Sequence, residues 1–198
     1  MSKPAFLVGL AMVASADMGS GIILTYLLGK AFSLQVNWWV YGLGIFFALA
    51  PDVDVPLQKL LGGKIDSKHR EITHYPIVVI SLGILSAGLP GFLNDSPLFW
   101  PALAASCLFA HFLHDSIGEA NRWGVKWLAP FSDNQYQLFM RKVPTEPMRL
   151  FCVWTPAELA KVKLHSLEDW LRDYYLKPTG ESVASIVWLA IALMILAW

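Results

Sequence analysis

The sequence has few charged residues and almost no cysteine. Asp, Glu, Lys and Arg make up 15% of its 198 residues, against roughly 25% in soluble domains. The charges sum to zero, so no positive excess indicates binding to nucleic acid. Cys107 and Cys152 have apolar neighbours and belong to no Cys-x-x-Cys motif, which favours buried thiols over a disulfide or a cysteine metal site. Repeats are also absent, so we expect one domain over residues 1–198.

Apolar residues dominate instead, at 56% of the chain with nine tryptophans. A membrane-spanning helix needs roughly 20 mostly apolar residues. Several of the apolar segments are shorter than this, so we expect at least one to be tilted or re-entrant, and Asp17 and the glycines after it to interrupt the first. We predict an all-α polytopic membrane protein whose first segment is retained rather than cleaved as a signal peptide. Its hydrophobic helices would be five, at residues 4–29, 36–50, 76–93, 99–113 and 183–198.

The basic residues predict an orientation for these segments. Lys and Arg concentrate in the connections at residues 52–74 and 116–182, whereas the other two connections contain only Lys30. Connections rich in Lys and Arg stay in the cytoplasm. With five spans, both basic connections therefore face the cytoplasm, and residues 119–180 form a cytoplasmic insertion between the last two membrane segments.

This insertion carries the signature of a helix start. Thr155 occupies the N-cap position, Pro156 the first helical position and Glu158 the third, which together form a capping box. The apolar spacing that follows predicts an amphipathic helix to about residue 176. Such a helix would lie on the membrane surface or over an active site.

Three polar runs stand at the edges of the apolar segments and share the chemistry of metal ligands. Ionisable residues near a bilayer are costly and are kept mostly for function, and aspartate and imidazole are common metal ligands. All three runs fall at the predicted cytoplasmic face. They are Pro51-Asp52-Val53-Asp54, His69-Arg70-Glu71-Ile72-Thr73-His74 and His111-Phe112-Leu113-His114-Asp115.

The positions of individual polar residues suggest different roles. His111 and Asp115 are four residues apart and share one face of a helix. His114 points away from Asp115 and is a weaker ligand candidate than His111, with a role in supporting a ligand as the option. Asp17 either joins the metal site or caps a helix that breaks there. Arg70 could bind an anionic oxygen through two hydrogen bonds, or it could anchor the chain to lipid headgroups.

Taken together, these runs and a later one, Gly124-Val125-Lys126-Trp127-Leu128-Ala129-Pro130-Phe131-Ser132, resemble the bacterial membrane-bound metal-dependent hydrolases of the YdjM-like group. The resemblance spans residues 48–139. It implies an inner-membrane protein with a divalent-metal centre and hydrolase activity. Members usually carry a histidine near the start of the first segment, where the nearest candidate here is Asp17. The ligands it implies are Asp52, Asp54, His69, His74, His111 and Asp115.

The predicted function is hydrolysis of a lipid or amphipathic substrate, with a phosphoester as one option, at the cytoplasmic membrane face. One or two ions would bind, Zn²⁺ first and Mn²⁺ or Mg²⁺ as alternatives. Asp54 or Asp115 would accept a proton from water, and Arg70 would stabilise developing negative charge. Two alternatives remain open at this stage. One is a metal-ion or proton transporter; the other is a structural or partner-binding membrane protein with a structural metal.

Overall fold

A computed structural model describes residues 1–53, 55, 72–91, 96–117, 124–142, 145–162 and 167–197. The described chain is mostly helical. Short 3₁₀ turns lie at Ala50–Val53 and Ile72–His74, and a π-helical turn lies at Leu171–Tyr175. In chain order, the elements are α1 (Lys3–Ala31), α2 (Trp38–Leu49), α3 (Pro76–Gly91), α4 (Phe99–Asp115), β1 (Gln135–Met140), β2 (Arg149–Trp154), α5 (Pro156–Leu159), α6 (Leu167–Trp170) and α7 (Gly180–Leu196).

Helix α1 runs without a break, so the predicted interruption after Asp17 is wrong. The small residues there serve packing between helices instead. A Cβ atom at Gly21 would lie 2.7 Å from the carbonyl oxygen of Gly44 on α2, and Thr25 donates its hydroxyl to the carbonyl of Gly21 at 2.7 Å. Because small residues let two backbones approach closely, this stretch joins α1 to α2 rather than ending a helix.

Helix α1 is the centre of the helical arrangement. It packs against α2, α4 and α7, while α3 packs against α4. Trp188 on α7 donates its indole N–H to the hydroxyl of Ser20 on α1 at 3.0 Å. The five long helices thus match the five predicted apolar segments in position, and α1 holds three of the others in place.

Among the described helices, α1 alone is long and apolar enough to cross a membrane by itself. Helix α7 and the segment Glu168–Tyr175 before it form a pair bent by 73° that would give a second span. Helices α2, α3 and α4 have 12, 16 and 17 residues, fewer than the roughly 20 that a perpendicular span requires. Length and composition therefore identify one clear membrane-span candidate.

The predicted all-α class is wrong in one region, because residues 135–154 form an antiparallel β-hairpin. Gln137 lies opposite Cys152 in its register. Phe139 has a positive φ of 52°, which interrupts the alternation of the strand, so that Met140 packs with Cys152 and Trp154 in a small core. The prediction of buried thiols is confirmed, since Cys152 and Cys107 are both buried and free.

The predicted helix from Thr155 to about residue 176 is also wrong in its length. The capping box between Thr155 and Glu158 is present, but α5 ends at Leu159. Leu159 and Val162 pack against the hairpin core, whereas the segment containing Trp170 packs against the first turns of α1. One straight helix could not bury apolar side chains in both clusters, so the segment divides.

Candidate metal centre

The candidate metal centre lies where three elements of the helical arrangement meet. Asp52 lies in the 3₁₀ turn that follows α2, where Pro51 cannot continue the regular helix. His74 lies in the 3₁₀ turn before α3, which begins at a proline, a favoured first helical residue. His111 and Asp115 lie on the last turns of α4. The two 3₁₀ turns contact each other, and the first also contacts α4.

The two histidines direct the same ring nitrogen at the same two carboxylates. Nε2 of His74 lies 3.3 Å from Oδ1 of Asp52 and 3.4 Å from Oδ2 of Asp115. Nε2 of His111 lies 3.8 Å from each of these oxygens. Both imidazoles are 1% exposed, whereas the side chains of Asp52 and Asp115 are 28% and 14% exposed. The site therefore has a buried histidine side and a more open carboxylate side.

These separations suit a divalent ion. A tetrahedral ion with bonds of about 2.0–2.2 Å holds its ligand atoms about 3.3–3.6 Å apart. The nitrogen–oxygen distances of 3.3 and 3.4 Å at His74 fall in this range, and those of 3.8 Å at His111 are slightly longer. Asp52, His74 and His111 each offer one ligand atom within 4.8 Å of the other two. Nε2 of His111 is buried and makes no hydrogen bond among the described residues. A buried nitrogen of this kind fits a coordination bond.

The predicted ligands divide into those that the structure places and those outside it. Asp52, His74, His111 and Asp115 come together as described above. Asp54 and His69 lie outside the described residues, so their contribution as ligands stays a prediction. Arg70, expected to stabilise developing negative charge rather than to bind the ion, also lies outside them.

A second set of side chains contacts the far side of each imidazole. The hydroxyl of Thr73 lies 3.1 Å from Nδ1 of His74. Oδ2 of Asp17 lies 3.5 Å from Nδ1 of His111, which is within range of a charge interaction but longer than a normal hydrogen bond, and Nδ1 makes no hydrogen bond among the described residues. Groups that contact the second nitrogen of a ligating histidine fix its tautomer and orientation. Sequence reasoning missed this role for Thr73, and its position next to His74 was the available signal.

Asp17 is not a helix cap, because α1 continues on both sides of it. Its side chain is buried and faces α4. The other oxygen of the carboxylate, Oδ1, lies 3.4 Å from Nδ1 of His114. His114 thus contacts Asp17, on the side of His111 that faces away from Asp52 and Asp115, and its ranking below His111 as a ligand stays a prediction. Of the two roles open for Asp17 in the sequence, the structure favours the one at the site.

The carboxylates also act on the charge of His74. Burial alone would lower the pKa of His74, but hydrogen bonds and charge interactions with Asp115 and Asp52 outweigh it and raise the pKa. A metal ion must displace any proton from the ring nitrogen that it binds. The same two carboxylates therefore attract either a proton or a cation to this position.

Comparison with known families agrees with the apolar composition of the chain. A family model described as YdjM inner membrane protein matches residues 12–198. The chain belongs to this family. The matched range extends far beyond residues 48–139, where the sequence motifs placed the resemblance, and it includes Asp17, the hairpin and α7. The chain is therefore an inner-membrane protein by family.

Comparison with curated proteins finds no match, and comparison with solved structures finds none either.

Proposed function

We propose that this chain is a membrane-bound, metal-dependent hydrolase that acts on a lipid or amphipathic substrate at the cytoplasmic face of the inner membrane. One observation carries the proposal: His74 and His111 direct Nε2 at the same two carboxylates, Asp52 and Asp115, within 3.3–3.8 Å. Packing alone does not explain why four ionisable groups from three separate segments lie together, because burying such groups is costly unless they are paired or bind an ion.

The ligand atoms favour zinc over the harder divalent ions. Two imidazoles with carboxylate oxygens are a common zinc set, whereas Mg²⁺ prefers oxygen ligands and retains several waters. Mn²⁺ is an alternative that the same atoms accept. When bound, the ion would supply Lewis-acid polarisation of the scissile group and make a water molecule more acidic.

The residues of the chain would bind and orient the reactants around this position. His74 and His111 form its buried side and exclude water there. Asp115 is near the open side, where its carboxylate could accept a proton from water. Arg70 and Asp54, outside the described residues, keep the roles that their chemistry predicts: Arg70 as a cation for an anionic group of the substrate and Asp54 as a further ligand or base.

The surroundings of the site support a lipid substrate. The metal centre lies where α2 ends, where α3 begins and where α4 ends, and its carboxylate side is more exposed than its histidine side, so an amphipathic molecule would approach it from the carboxylate side. Several helices expose large apolar side chains that lipid would cover. On α3 and α7 these include Leu82, Leu85, Leu89, Ile186, Val187, Leu193 and Met194.

The membrane arrangement that we propose keeps about five hydrophobic helices, with α2, α3 and α4 tilted, re-entrant or only partly inserted because they are short. The Lys and Arg residues of the connections at 52–74 and 116–182 support a cytoplasmic position for the site.

The test is a turnover measurement on detergent-purified protein loaded with Zn²⁺. Mixed micelles of phospholipids and lipid phosphates would be supplied, and released phosphate, headgroup and fatty acid would be measured by mass spectrometry. We expect turnover in the wild type and in Asp133→Asn, an exposed substitution, and loss of turnover in His74→Ala. A zinc-loaded wild type that cleaves none of these lipids, or equal turnover in His74→Ala, would contradict the proposal.

A further inference from the structure

Asp17 is a buried carboxylate in the middle of an apolar helix. The residue is 2% exposed, and an ionised carboxylate is costly to bury without compensation. The two ion-pair neighbours that the structure shows for Asp17 are His111 and His114, one for each oxygen. Oδ2 lies 3.5 Å from Nδ1 of His111, and Oδ1 lies 3.4 Å from Nδ1 of His114.

The imidazole of His111 therefore has a carboxylate near each of its two ring nitrogens. Nδ1 faces Asp17, and Nε2 faces Asp52 and Asp115, where the proposed ion would bind. A neutral imidazole has one N–H donor and one acceptor nitrogen. If Nδ1 carries the hydrogen and directs it at Asp17, the lone pair of Nε2 is available to the ion.

We infer that Asp17 is a positioning residue that fixes the tautomer and orientation of His111 for metal binding, and that His114 holds the carboxylate of Asp17 in place. The inference rests on the metal centre of the proposed function. Asp17 contacts the ring nitrogen that points away from the metal position, so its carboxylate supports a ligand and does not bind the same ion. Asp17 acts from α1, whose close packing against α2 at Gly21 and Gly44 restricts its movement.

The experiment measures affinity for Zn²⁺ and Co²⁺ by chelator competition in detergent-purified full-length protein. The variants are Asp17→Asn, which keeps the size and removes the charge, and His114→Ala, at a side chain 34% exposed. Asp133→Asn is the matched control, since it makes the same change at an exposed side chain. The unfolding temperature of each variant is recorded with and without metal. A residue with only a structural role would change the unfolding temperature of the metal-free protein and leave the increase on adding metal unchanged.

We expect Asp17→Asn to lower affinity by about 10–100-fold, the usual effect of losing such a supporting contact. The number of bound ions and the ligand-field absorption of the Co²⁺ protein should stay as in the wild type. His114→Ala should lower affinity by a smaller factor, and Asp133→Asn should match the wild type.

The inference is overturned if Asp17→Asn binds metal as tightly as the wild type, or if it loses one bound ion, which would make Asp17 a ligand. If Asp17→Asn does not fold, His114→Ala decides, and unchanged affinity there overturns the inference. A wild type that binds no ion would refute both this inference and the proposed function. A wild type that binds metal but cleaves no lipid would refute the proposed function alone.

Discussion

His74 and His111 direct the same ring atom, Nε2, at the same two carboxylates, at 3.3 and 3.4 Å for His74 and at 3.8 Å for His111. The first histidine precedes α3 and the second lies near the end of α4, so their convergence depends on how these helices pack. Their ring centroids are 5.6 Å apart. Any change that moves α3 or α4 should therefore alter the distance between His74 and His111 at the candidate metal centre.

The contact between α1 and α2 gives a prediction about stability with a control in the same helix. A Cβ atom at Gly44 would lie 2.7 Å from the carbonyl oxygen of Gly21 and would also overlap the hydroxyl of Thr25, whereas one at Gly42 would meet nothing within 4 Å. We expect Gly44→Ala to destabilise the protein by about 1–3 kcal/mol through overpacking. Gly42→Ala should be neutral or stabilising by up to about 1 kcal/mol.

Thermal unfolding in detergent, followed by circular dichroism, checks this pair. Equal unfolding temperatures for Gly44→Ala and Gly42→Ala would show that α1 and α2 do not approach as described.

The hydroxyl of Thr73 gives a prediction about metal affinity. It lies 3.1 Å from Nδ1 of His74, where it can orient the ring. We expect Thr73→Val, which keeps the shape and removes the hydroxyl, to weaken Zn²⁺ binding by about 10-fold or more. Thr73→Ser keeps the hydroxyl and should bind Zn²⁺ nearly as the wild type does. Chelator competition measures both, and equal affinities in the two variants would refute this role.

Glu158 gives a prediction about pH. Its hydrogen bond from Lys142, together with bonds from the backbone and hydroxyl of Thr155, lowers the pKa of Glu158 from 4.5 to about 2. Because the pKa is lower in the folded state, the stabilisation is present above about pH 4.5 and is lost as the pH falls towards about 2. We expect Lys142→Met to raise this pKa towards its ordinary value.

Carbon-detected NMR titration of the Glu158 carboxyl group measures the effect. The shift should also shrink in high salt, since the Glu158 side chain is exposed and ions screen its charge. The same pKa in the wild type and Lys142→Met would show that the Lys142 contact is not maintained in solution.

The parts of the fold that depend on local sequence were predictable. Hydropathy located the five long helices, and the Thr155 and Glu158 capping box is confirmed because its hydrogen bonds join residues three apart. The convergence of His111 and Asp115 followed from helical periodicity. These features need no knowledge of how distant segments pack.

The features that sequence reasoning missed depend on distant contacts. The sequence left Asp17 open between the metal site and a helix cap, and only its neighbours on α4 decide against the cap. The hairpin is held by pairing across a loop and by the hydrogen bond from the Leu138 amide to the carbonyl of Ser116 at 2.6 Å. The predicted helix after Thr155 divides because Leu159 and Val162 pack in the hairpin core whereas Trp170 packs against α1. In each case tertiary packing decided between local alternatives of similar quality.

The central claim is that His74 and His111 jointly hold a divalent ion. The most direct measurement is the metal content of detergent-purified protein by elemental analysis, for the wild type, His74→Ala, His111→Ala and the control Asp133→Asn. We predict bound zinc in stoichiometric amount in the wild type and the control, and its loss in both histidine variants while they remain folded. A wild type that contains no metal after zinc is supplied, or histidine variants that retain it in full, would contradict the claim.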